Sequence, residues 1–115
     1  MKNVTISDGD KEVTLCIGMN AKENDELYRR ASPSDWWVHL DNQPSAHLWL
    51  SDERYESHLP KTVAYQCALI LKDHCRMPCR IRVRVCYVQR SGLGKDKTCA
   101  AGTLVLLRDP FIVKV

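Results

Sequence analysis

The sequence predicts an α+β fold: a mainly antiparallel (mixed) β-sheet with two α-helices packed on it, in the order ββαββαβββ. Three observations predict it. Short runs of alternating apolar and polar residues recur along the chain, separated by Gly, Pro, Asn and Asp. Two segments combine helical spacing with a start signal. The longest alternating run, residues 79–90, directly follows the second of them. At 115 residues the chain has the size of one domain, taken as residues 1–115, and 44% hydrophobic content can build its core.

Residues 4–7 and 12–18 read as a hairpin around Asp8-Gly9-Asp10, with Val13, Leu15 and Ile17 on one face. Asn20 then caps a short polar helix to about Ala31, and Glu23 stands three residues later, as in a capping box. Ser32-Pro33-Ser34 stops it. Residues 35–40 and 45–50 read as a second hairpin. Trp36, Val38 and Leu40 face one way with Ala46, Leu48 and Leu50, while Trp37 and His39 oppose Trp49 and His47 on the other face. Pro60 opens a second helix to about His74, whose Ala64 and Ala68 permit close approach to a sheet. Along residues 79–90, Ile81, Val83 and Val85 point one way and Arg80, Arg82 and Arg84 the other. A Gly/Lys loop spans residues 91–101, and residues 102–108 and 111–115 form two last strands.

Composition narrows the class. No apolar run reaches membrane-spanning length, and residues 1–5 lack the apolar segment of a signal peptide, so the expected address is the cytoplasm, with nuclear access at this size. Without a signal peptide the six cysteines read as reduced thiols. Net charge is only +3, but it is segregated: residues 1–75 hold eight basic and twelve acidic residues, whereas residues 76–97 hold seven basic residues against Asp96 alone.

Three groups of residues could carry chemistry. Arg80, Arg82 and Arg84, with Arg90, Lys95 and Lys97 after them, form a positive stripe suited to phosphates, or else a solvated sheet face. Trp37 and Trp49 could stack unpaired bases, or lie under a helix as core. His39 and His47 could bind metal or act as an acid/base pair, with Asp35 or Asp41 as the nearest carboxylate; hydrogen bonding within the domain or to phosphate is the stronger reading. Cys75 and Cys79 have loose spacing for zinc, and Gly92-Leu93-Gly94-Lys95 lacks the length and the Ser/Thr of a P-loop. No nucleophile–base set or carboxylate pair is visible, so neither an enzyme nor a cofactor is expected.

Three ordered motifs resemble one family. Residues 18–27 resemble the G-x-N-x-x-x-N-D/E-x-L opening of the NFACT-R domain. Asp35-Trp36-Trp37-Val38-His39 resembles its D-x-W-F/L-H signature, and Ser45-Ala46-His47-Leu48 its G/S-S/A-H-V segment. The resemblance implies a nucleic-acid-binding module, RNA above all, of the kind found in ribosome quality-control factors that sense peptidyl-tRNA on stalled large subunits. The chain resembles most the stand-alone eukaryotic coiled-coil-domain-containing branch, with the coiled-coil tail expected to be absent. The multidomain members' basic segment is altered here across residues 90–102.

Composition and resemblance together lead to one expectation. Arg80, Arg82, Arg84, Arg90, Lys95 and Lys97 would hold phosphates of RNA or single-stranded nucleic acid, while Trp37, His39 and His47 stack or hydrogen-bond. The ribosome or tRNA would be partners, and no membrane contact is expected. A protein-interaction adaptor docking an acidic partner on the basic strand is the competing reading, and a metal-dependent hydrolase at His39 and His47 is the weakest.

Overall fold

A computed structural model describes residues 1–95 and 103–115. A six-stranded sheet is its centre. β1 (Lys2–Asp8) and β2 (Lys11–Gly18) form the first hairpin. Gly9 turns it with φ +65°, a conformation in which a side chain would be strained. Helix α1 (Ala21–Arg30) starts as the sequence predicts: Asn20 Oδ1 accepts from the Glu23 N–H at 2.9 Å. The Glu23 carboxylate reaches back one residue further than in a standard box, accepting from the Met19 N–H at 2.9 Å.

β3 (Trp36–Leu40) and β4 (His47–Leu50) form the second hairpin with Trp37 opposite Trp49, the predicted register. Helix α2 (Lys61–His74) follows a 3₁₀ turn at Glu53–Tyr55 and leads into β5 (Arg84–Gln89). The short strands β6 (Leu93–Gly94) and β7 (Val105–Leu106) pair with each other, and β8 (Phe111–Lys114) closes the main sheet. Its order is β1-β2-β4-β3-β5-β8, antiparallel throughout. The α+β class and the two helices are as predicted; no helix among the described residues is long and apolar enough to cross a membrane.

The helices take opposite faces. α2 lays Val63, Ala64, Cys67, Ala68 and Leu71 on a face built from Leu15, Ile17, Trp36, Val38, Leu40, Leu48, Leu50 and Val85, which forms the larger core. α1 and the β6–β7 pair cover only part of the other face, where Leu27, Trp37, Trp49, Cys86, Val88 and Leu93 form a smaller core.

Two strand expectations are corrected. Residues 79–90 are not one strand: pairing within the sheet begins at Val83, which exchanges hydrogen bonds of 2.8 and 3.0 Å with Val115. Before it the chain turns, the Ile81 N–H donating to Pro78 O at 3.1 Å. The acceptors that a strand would offer a neighbour go instead to one lysine. Lys72, only 6% exposed, donates from Nζ to Cys79 O (3.2 Å), Ile81 O (2.6 Å) and Val115 O (3.1 Å). The second correction concerns the strand expected at residues 102–108: among its described residues, 103–108, only Val105–Leu106 pair as a strand. Of the expected Gly/Lys loop, Ser91 and Gly92 lie in a 3₁₀ turn and Leu93–Gly94 are β6. Residues 96–101 of that loop and Gly102 lie outside the described residues.

Candidate nucleic-acid interface

The half-covered face carries the polar chemistry. Side chains alternate along β5, so Arg84 shares this face with Cys86 and Val88, while Val85 and Tyr87 enter the larger core. On β8, Val113 and Val115 pack with that core, which places Ile112 and Lys114 beside Arg84 and Cys86. Rows run across the strands: His39 opposes Cys86, and Cys86 opposes Ile112. In the next row Arg84 opposes Lys114.

The predicted basic residues do not form one ridge. Arg80 and Arg82 are exposed on the turn that Lys72 holds, with no ion pair among the described residues. Arg84 is the only one of the three in a strand, and its Nε lies 3.2 Å from Asp41 Oδ2. Arg90 is built into the fold. Its guanidinium lies 4.2 Å from the centre of the Tyr28 ring, and its Nε donates to Tyr28 O at 2.8 Å. Lys95 pairs with Asp25, and Lys97 lies outside the described residues.

Trp37 and Trp49 are each 5% exposed, beneath α1, so neither is an open stacking platform. This corrects the expectation for Trp37. Its indole N–H serves another purpose, donating to His47 Nδ1 at 3.1 Å. An indole N–H only donates, so Nδ1 accepts and His47 carries its proton on Nε2. Burial, and then the neighbouring His39, push the His47 pKa down to about 4. His39 stacks on Trp37 with ring centres 4.8 Å apart and 19° between planes. Its Nδ1 lies 2.6 Å from Leu40 O, and a carbonyl only accepts, so His39 carries its proton on Nδ1. Burial lowers its pKa as well, against the raising effects of the Leu40 carbonyl and of Asp41. The two imidazoles meet edge-on, 4.9 Å between centres.

These histidines, with Trp37, line a cleft of about 500 Å³ at the start of α1, together with Asn20, Ala21 and Asn24. Asn24 is folded in against Gly18, where a β-carbon would collide with its Oδ1. Of the carboxylates weighed as metal ligands, Asp41 is engaged by Arg84 and Asp35 accepts from the Ser32 N–H at 3.0 Å. Three contributors escape the sequence reading. Lys114 stands too far along the chain from the basic segment. Tyr28 reads in the sequence only as a packing residue of the first helix. Lys72 follows Ala64 and Ala68 at four-residue spacing, so the signal for a sheet-facing lysine was present.

Comparison with known proteins agrees with this architecture. Residues 3–106 match the model of the NFACT protein RNA binding domain. Coiled-coil domain-containing protein 25 of Mus musculus is 31% identical over 94 residues, which is 79% of this chain and 45% of that protein. The Dictyostelium discoideum homolog of that protein is 25% identical over 99 residues, 84% of this chain and 48% of its own. The chain thus spans about half the length of the curated relatives it matches. A solved structure of the C-terminal of the fibronectin/fibrinogen-binding protein from Streptococcus suis superposes with a TM-score of 0.83, at 20% identity, over 98% of this chain and 44% of that one. The chain belongs to the NFACT protein RNA binding domain family.

Proposed function

We propose that this domain binds single-stranded nucleic acid, RNA first of all, through the half-covered face of its sheet and without catalysis. One observation carries the reading: Arg84 and Lys114 stand directly opposite each other on β5 and β8. Like charges placed so work against sheet stability; Asp41 offsets the Arg84 side of the pair, and an anionic ligand reaching Lys114 and Arg84 would relieve the rest. Arg80 and Arg82 precede Arg84 on an exposed turn and add positive charge just before it in the chain. Family membership supports RNA as the polyanion. Phosphate contacts of this kind position a strand without reading its sequence. A ribosome-bound tRNA is the specific form of the ligand that the motif resemblance favours, with the cytoplasm as its place.

Titration with labelled single-stranded RNA at several salt concentrations tests this. Affinity should fall steeply with salt, the log–log slope changing by about 0.7 for each phosphate contact. Replacing Arg80, Arg82, Arg84 and Lys114 by Ala should flatten the slope. An unchanged slope and affinity in that variant refute the assignment. Absence of binding at low salt, with capture of an acidic peptide by the same four residues, would establish the adaptor reading instead.

A further inference from the structure

We infer that the cleft between the start of α1 and the β3–β4 hairpin seats one unpaired nucleobase, held by the Nε2 atoms of His39 and His47. This rests on the nucleic-acid reading and names the subsite within it. Trp37 fixes His47 as an Nε2–H donor, and Leu40 O fixes His39 with Nε2 as acceptor. The cleft therefore offers one donor and one acceptor on two imidazoles whose centres are 4.9 Å apart. Every nucleobase presents an adjacent donor and acceptor on its Watson–Crick edge, and single-stranded RNA is read on such edges. At about 500 Å³ the cleft falls within the range of small-ligand sites.

Charge separates this subsite from the phosphate edge. Both histidines are buried enough to stay neutral near pH 7, so the cleft favours an uncharged polar edge over a phosphate. The cations stand one row away: His39 opposes Cys86, and Arg84 is two residues from Cys86 on the same face, opposite Lys114. Two residues along a strand span about 7 Å. A nucleotide that puts its base on the histidines thus places its backbone beside Arg84 and Lys114. The stacking of His39 on Trp37 and the tuck of Asn24 against Gly18 hold the walls in place without a ligand.

The experiment titrates the whole chain, labelled with ¹⁵N, with adenosine, guanosine, cytidine and uridine in turn, and then with a short single-stranded RNA. At least one nucleoside should saturate, shifting the Trp37 indole N–H and the imidazole signals of His39 and His47. His39→Ala should weaken that nucleoside about five-fold, the loss of one hydrogen bond, and leave the salt slope for RNA unchanged. Ala21→Leu enlarges an exposed residue of the cleft lining while keeping both imidazoles, and should block the nucleoside as well, which covers the case of a His39→Ala variant that misfolds. No nucleoside shift at the cleft, or full nucleoside affinity in a folded variant, overturns the subsite. If RNA then still binds with a steep slope, the phosphate-edge reading stands without it. Nucleoside binding in the cleft with no RNA binding upholds the subsite and removes the phosphate edge.

Discussion

The two faces of the sheet are built to different standards. Under α2, Leu15, Ile17, Leu48, Leu50, Val63 and Leu71 are fully buried, and Trp36 donates its indole N–H to Tyr55 O at 2.8 Å. Under α1 the cover given by the described residues is partial. The Trp49 indole N–H has no partner among the described residues, the histidines border an open cleft, and Arg84 faces Lys114. Local rules broken on one face and kept on the other point to where a domain meets its ligand. The α2 face supplies stability, and the α1 face spends part of it on a polar, cationic surface.

Substitutions should separate the faces, and the largest effect belongs to the α2 side. Leu48→Ala should destabilise the domain by about 2–5 kcal/mol in urea unfolding while RNA affinity of the folded protein holds. A loss of affinity without a loss of stability would erase the contrast.

Acid should act on the α1 side. An unfolded imidazole titrates near 6.5, whereas His47 in the fold titrates at about 4. Between those values the unfolded chain binds a proton that the folded one refuses. The stability that neutral His47 secures is therefore complete above pH 6.5 and is lost as pH falls toward 4, on the order of 3 kcal/mol. His39 adds in the same direction. Unfolding midpoints at pH 7 and pH 4.5 should differ more in the native chain than in His47→Gln, and equal differences would contradict the buried neutral pair.

Lys72→Met joins the two faces. It strips Cys79 O and Ile81 O of their lysine donor, leaves Val115 O with the Val83 N–H alone, and should cost about 2 kcal/mol. It also releases the turn bearing Arg80 and Arg82, so RNA affinity of the folded variant should fall. Smallest in stability is Arg80→Ala with Arg82→Ala, within about 0.5 kcal/mol of the native chain, yet it should lower the salt slope of RNA binding.

How much of this was legible in the sequence follows from range. The hairpin register of Trp37 on Trp49, the Asn20 cap and the alternation of Val13, Leu15 and Ile17 are set by neighbours and periodicity, and each was readable. The turn at residues 79–82 was not, because Lys72 takes its carbonyls from another element while the alternation of residues continues regardless. The arginine stripe failed for a related reason. Spacing placed the charges, but Asp41 and Tyr28, which engage Arg84 and Arg90, arrive from a turn and a helix far along the chain. The histidine pair was visible as a pair. Its proton positions needed the Trp37 indole and the Leu40 carbonyl.

The most direct measurement is a map of amide shifts in the ¹⁵N-labelled chain on adding a short single-stranded RNA at low salt. Shifts should gather at His39, Arg80, Arg82, Arg84, Ile112 and Lys114 and spare the outer surface of α2 at Tyr65, Leu69 and Asp73. Shifts centred on α2, or none at any RNA concentration, would contradict a nucleic-acid interface on the half-covered face.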